Sequence, residues 1–246
     1  MFGDFLSLIR LPRVDINLNH AETVGNDPFY GRIVREFYET TRRRHPKFPL
    51  VKRYEYGVAL CTIPKEFEAY FMMIEAAARR NFKKAERNGY VFSKIDFNNH
   101  LGDIKEIRQS TDVRQGSVAS EILNGKVTRC SNPASTTNIH DYPYFGILKD
   151  GRLVAYAGCL VAGELCMIEH ILGHAARQSD GIVPALIISI ARYVMEHYPS
   201  VKYYGYGTYF GAGRTMRRFK RKFGFVPHRV KWTLGESRTE SGGPRT

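Results

Sequence analysis

Residues 144–173 read YFGILKDGRLVAYAGCLVAGELCMIEHILG, and residues 174–198 continue HAARQSDGIVPALIISIARYVMEHY. The first block divides itself at two turns. Lys149-Asp150-Gly151 separates apolar runs at Tyr144–Leu148 and Arg152–Ala157, a strong hairpin signal. Gly163 marks a second turn, and Glu164–Leu172 supplies a third strand. The second block is apolar on nearly every side from Ile182 to His197, which predicts a buried helix preceded by small and polar residues. Downstream come a tyrosine-rich strand at Tyr203–Tyr206, a basic helix near Arg214–Lys222, the turn Phe223-Gly224-Phe225 and a last strand. That order describes an α/β fold: a central mixed, mostly antiparallel sheet flanked by helices.

Upstream, residues 1 to about 28 are weakly patterned, and Gly31–Arg44 reads as a helix ending in Arg42-Arg43-Arg44-His45. Residues 1–50 are therefore expected to form an N-terminal extension with a basic helix, 51–234 the main domain, and 235–246 a disordered tail. Tyr54–Thr62 has strand composition. Pro64 opens a long helical segment whose apolar residues Phe67, Phe71, Ile74, Ala78, Phe82 and Ala85 recur at steps of three and four. Gly89 is its natural cap, Tyr90–Asp96 a further strand and Leu101–Ser110 a second helix. Residues 111–140, rich in Ser, Thr, Asn and Gly, read as a long, partly ordered loop.

With 246 residues and 43% hydrophobic composition, the chain can bury a substantial core and is not of the disordered class. Its formal net charge is +13, from 37 Lys and Arg against 24 Asp and Glu. That balance points to an anionic partner: nucleic acid first, an acidic membrane surface next, with a merely solvated basic surface as the alternative. The cations cluster at Arg42-Arg43-Arg44, Arg79–Arg87 and Arg214–Lys222. None of the four cysteines is spaced C-x-x-C, which fits free thiols in a reducing cytoplasm. The N-terminus carries Asp4 and no long apolar stretch, so no signal peptide is expected. No run of about 18 apolar residues is present, so no membrane span is expected.

The element order resembles the GNAT superfamily of N-acyltransferases. In that family a strand feeds a loop of pattern Q/R-x-x-G-x-G/A whose amides cradle the pyrophosphate of acyl-CoA. The matching residues are Gln178-Ser179-Asp180-Gly181-Ile182-Val183, with Val183 in place of the final small residue and Asp180 adding a negative charge. The resemblance implies donor contacts from Leu172, Arg177, Gln178, Ser179 and Gly181. Arg218–Pro227 is similar to the GNAT C-terminal helix and turn. Arg79–Gly89 resembles the helix of the Fem-type branch, whose members use aminoacyl-tRNA rather than CoA, so the donor stays open between the two. The combination of this core with strong basicity resembles the Mom-type DNA-modification family of Mu-like phages. That likeness implies addition of a glycinamide or carbamoylmethyl-type group to adenine N6 in duplex DNA, protecting it from restriction. Because that amine is a poor nucleophile, the likeness also raises a bound iron, without ligand spacing to support it. A tRNA partner and a dimer stay open.

Acyl transfer to an amine requires polarising a carbonyl, deprotonating the amine and protonating the leaving group. Glu169 and His170 lie on the third strand, on opposite faces unless a bulge intervenes, and Glu169 is the expected general base. Tyr209, among Gly207, Gly211 and Gly213, is the expected general acid by resemblance. Asp141, in His140-Asp141-Tyr142, is a candidate base, metal ligand or substrate anchor. Arg42, Arg43, Arg44, Arg80, Lys84, Arg87, Arg214, Arg217, Arg218 and Arg221 are the expected phosphate contacts. Tyr142, Tyr144, Tyr206 and Phe210 are aromatics on which an extruded base could stack.

Overall fold

The structure is a computed structural model describing residues 11–23, 27–45, 48–52, 54–111, 113–114, 116–117, 127–210 and 212–235. Its strands and α-helices run β1 (Arg13–Asn17), α1 (Pro28–Arg42), β2 (Arg44–His45), β3 (Phe48–Lys52), β4 (Tyr56–Thr62), α2 (Phe67–Met73), α3 (Ala76–Arg87), β5 (Val91–Ile95), α4 (Leu101–Gln109), β6 (Val113–Arg114), β7 (Gly116–Ser117), β8 (His140–Asp141), β9 (Tyr144–Lys149), β10 (Arg152–Ala162), β11 (Leu165–Gly173), α5 (Ile182–His197), β12 (Tyr203–Thr208), α6 (Arg214–Arg221) and β13 (Val226–Thr233). The main sheet has the order β1-β13-β4-β12-β11-β10-β9-β5, with β8 beside β10. Pairing is parallel at β1/β13 and β11/β12 and antiparallel at the other junctions, which makes the sheet mixed and mostly antiparallel, as expected.

The hairpin residues Asp150 and Gly151 both have positive φ (52° and 78°), the twist-matched geometry of a two-residue turn. β10 shows why its run is apolar throughout. Ala155, Ala157, Cys159 and Val161 face the layer of α2, α3 and α5, while Tyr156, Leu160 and Ala162 face α1 and α4. A strand covered on both faces has no polar side.

One expectation needs correction. The long segment after Pro64 is two helices, because Ile74 turns to extended backbone (ψ 158°). Arg79 donates to the carbonyls of Phe71, Met72 and Ile74 that this break frees, and the Glu75 amide donates to the Lys222 carbonyl. The apolar stripe survives the break: Ile74, Ala78, Phe82 and Ala85 all enter the core, with Phe67 and Phe71 packed against it. β1 lies in the same sheet as β4 and β13, and α1 packs on that sheet. Residues 236–246, expected as a tail, lie outside the described residues, as do 118–126 of the long loop.

Gly181 packs the start of α5 against α3. Its φ is +81°, and a Cβ there would stand 2.5 Å from the Asn81 carbonyl oxygen of α3. Gly181→Ala is expected to cost about 1–3 kcal/mol from strain and overpacking together. Thermal unfolding would show this as a Tm lower by several degrees, and an unchanged Tm would contradict the packing described.

Candidate active site

β11 and β12 pair at Leu165/Tyr203, Cys166/Tyr204 and Met167/Gly205, and there the ladder ends. β11 continues to Gly173 and β12 to Thr208, so the two strands part in the middle of the sheet. The register of β11 against β10 slips at this level: Cys159 is opposite Ile168, yet Gly158 is opposite His170. Glu169 is the extra residue of a β-bulge. The bulge changes the alternation expected of this strand, so Glu169 and His170 point to the same side, toward the layer of α1 and α4. Glu169 accepts a hydrogen bond from the Tyr142 hydroxyl at 2.7 Å. The His170 ring lies against Gly158, where a Cβ would collide with it, between Tyr144 and Tyr156 at ring distances of 5.7 Å.

Glu169 opens onto a recess of about 430 Å³ that Phe37 of α1, Tyr54, Met167 and Gly207 also line. The carboxylate reaches solvent at the mouth, but its surroundings desolvate it. Burial holds its pKa above the ordinary carboxylate value, against the opposing effect of the Tyr142 hydrogen bond. His170 is pushed down to about 4 by burial, then by Arg108, and is neutral near pH 7.

From the opposite layer, α6 brings Lys220 to the same parting. Its ammonium, 5% exposed, donates to the carbonyls of Tyr206 (2.6 Å) and Thr208 (2.8 Å) and sits 4.6 Å from the centre of the Tyr206 ring. Burial pushes its pKa down to about 8. Sequence reading had merged Lys220 with its basic neighbours. The available signal was spacing: Phe219 and Phe223 place it on the apolar side of an otherwise cationic helix.

The expected pyrophosphate loop is committed elsewhere. Asp180 accepts from the Tyr90 hydroxyl at 2.6 Å and lies 4.0 Å from Lys84, while Lys84 donates to the Ser179 carbonyl. The Gly181 amide donates to the Gln178 carbonyl, and Pro184 removes an amide from the first turn of α5. Val183 fills the space over Gly173, where a Cβ would meet it at 2.7 Å. Arg177 and Gln178 are exposed, and Leu172 packs toward Tyr156 on the α4 side. A fixed carboxylate and a missing amide do not fit a pyrophosphate cradle.

Asp141 is a structural hub rather than an open group. Tyr198 (2.6 Å), Lys94 (3.0 Å), Tyr30 (3.3 Å) and the Tyr142 amide (2.7 Å) all donate to its buried carboxylate. The adjacent His140 ring is fully buried, with Nε2 on the Leu18 carbonyl. Among the described residues no group of three His, Cys, Asp or Glu is placed to hold a metal ion, and these donors do not fit an iron site. Tyr209 is 7% exposed in the core, its amide bonded to the Gly57 carbonyl, and does not line the recess. No described helix is long and apolar enough to cross a membrane.

The basic residues divide into two groups. Arg217 braces the carbonyls of Phe210 and Ala212, Arg218 pairs with Glu75, and Lys84 serves the loop. Arg43, Arg44, Arg80, Arg87, Arg214 and Arg221 are exposed, as is Arg42, whose guanidinium lies over Tyr38. Of the aromatics, Tyr142 serves Glu169, Tyr144 packs on Phe97, Tyr206 underlies Lys220 and Phe210 abuts Gly57.

Two strands parting in a mixed sheet, a bulge on the longer one and a helix starting at its far end define a GNAT-like fold. No family profile and no curated protein matches the sequence. Solved structures do. FemX is similar with a TM-score of 0.54 at 11% identity, over 70% of this chain and 59% of that one. L-PGS from Bacillus licheniformis gives 0.43 at 15%, over 70% and 59%. A tandem GNAT protein of the clavulanic acid biosynthesis pathway gives 0.41 at 11%, over 82% and 56%. The chain thus spans under three fifths of each of these structures.

Asp141→Ala would leave the buried Tyr198 hydroxyl without its acceptor, while Lys94, half exposed, turns to solvent, at a cost of about 1–3 kcal/mol. Denaturant unfolding is expected to show that loss, whereas wild-type stability would remove Asp141 from its central place. NMR titration of Glu169 is expected to give a midpoint above the ordinary 4.5, moving further up in Tyr142→Phe, because that hydrogen bond favours the charged form. A raised folded pKa means the native chain holds this proton longer than the unfolded one. The contribution of Glu169 to stability is therefore lost as pH rises through the folded midpoint.

Proposed function

We propose that the chain transfers an acyl or aminoacyl group from an activated donor to an amine, with a nucleic acid as one of the two substrates. The observation that carries this reading is the placement of the Glu169 bulge where β11 leaves β12, beside a recess wide enough for the acceptor. The amine enters from the α1 side and Glu169 takes its proton. The nitrogen attacks the donor carbonyl held between the parted strands. The Lys220 ammonium, on the other side of the gap, stabilises the oxyanion and gives one of its own protons to the leaving oxygen as the ester C–O bond breaks; Glu169 then releases the amine's proton to solvent and Lys220 takes one up. The pKa of about 8 lets it carry charge near neutrality and still give up a proton.

The donor best supported is an aminoacyl ester on RNA. The loop that would hold CoA pyrophosphate is occupied by Asp180 and its partners, and the likeness to FemX agrees with a Fem-type donor. Incubation with charged tRNA and a small amine is expected to yield amide product. Glu169→Gln should lower kcat/KM by about 10²–10⁴, and Lys220→Met by a comparable factor. Product formed from acyl-CoA but not from charged tRNA would overturn the donor assignment.

A second reading makes DNA the acceptor and adds a glycinamide or carbamoylmethyl-type group to adenine N6, as the Mom-type resemblance implies. It is favoured by the exposed cations Arg80, Arg87, Arg214 and Arg221. Mass spectrometry of nucleosides from cells expressing the chain is expected to reveal a modified adenine, and an unchanged adenine profile would sink this reading.

A further inference from the structure

A second recess, of about 420 Å³, lies on the other flank of α1. Its floor is Val14, Val230 and Trp232, closed by Tyr38 and Thr41 of α1. Its lining carries five cations: Arg13 from β1, Arg229 and Lys231 from β13, Arg42 at the end of α1, and Lys52 of β3. Two carboxylates, Asp15 and Glu55, also line it. Glu55 is paired with Arg229 at 3.1 Å, and none of the ion pairs found among the described residues uses Arg13, Arg42, Lys52 or Lys231. The C-terminal end of α1 contributes roughly half a negative charge. Five cations outweigh these contributions, so the recess is electropositive, with an apolar floor.

Its position gives it a use. Phe37 packs against Trp232 (5.5 Å) and lies 6.2 Å from Tyr54, which lines the recess of Glu169. One aromatic side chain therefore separates the cationic recess from the acceptor recess.

We propose that the recess lined by Arg42, Lys52 and Lys231 binds phosphate of a single polynucleotide strand and holds that strand across α1 from Glu169. The proposal rests on the reading of nucleic acid as a substrate. Its test reads binding without transfer, so the two can fail separately. Trp232, the chain's one tryptophan, lies in the floor and reports occupancy through its own emission. Titration of the full chain with a short single-stranded oligonucleotide is expected to change that emission saturably, with an affinity that falls steeply with salt. Arg42→Gln with Lys52→Gln is expected to weaken binding at least tenfold and to reduce the salt slope by about 1.4, the single-strand value for two phosphate contacts. Lys105→Gln, an equal change of charge type on exposed α4, is expected to leave the titration unchanged. Pyrophosphate arms separate the sources of phosphate: weak competition supports a strand, while saturation as tight as the oligonucleotide's shows a free phosphate compound and overturns the strand assignment. Equal affinity in the folded double variant and wild type would overturn the site, as would an emission change with phosphatidylglycerol vesicles but none with the oligonucleotide.

Discussion

The structure depends on one interruption of backbone hydrogen bonding. In the middle of a covered sheet every amide and carbonyl needs a partner. After Met167 and Gly205, β11 and β12 no longer supply one another's. The chain answers on the β12 side with side chains. Lys220 takes the carbonyls of Tyr206 and Thr208, and the Met167 sulfur accepts from the Gly207 amide at 3.3 Å. Burying an ammonium costs solvation, and its depressed pKa records that cost.

The same interruption gives the site two approaches. Glu169 and its recess belong to the α1 layer, and Lys220 to the layer of α2, α3 and α5. A carboxylate and an ammonium thus approach the parting of the strands from opposite faces of the sheet. The bulge at Glu169 matters because regular alternation would have pointed Glu169 and His170 to opposite faces.

Much of the fold was legible from the chain. Asp150-Gly151 dictated the hairpin, and the all-round apolar character of Ile182–His197 marked the buried helix. Both are local signals. The break at Ile74 was not legible, because its support comes from Arg79 and from the distant Lys222 carbonyl. The strand at Arg13–Asn17 escaped for a like reason: its five residues gain definition only by pairing with β13. For the site, the strand position of Glu169 was readable from the sequence, while the buried, fully partnered setting of Asp141 and the burial of Tyr209 were not, because burial and saturation of a polar group are tertiary properties. Lys220 was hidden by composition, since a cation among five neighbouring cations reads as surface until its helical phase is considered.

The central claim is that the donor carbonyl lies in the gap between β11 and β12, facing Glu169 on one side and Lys220 on the other. The most direct measurement is a crystal structure with a non-hydrolysable aminoacyl-adenosine amide. The account predicts its carbonyl oxygen within hydrogen-bonding distance of Lys220 Nζ and its carbonyl carbon open to the Glu169 recess. An analogue seated instead on the Gln178–Gly181 loop, or outside the gap, would contradict it.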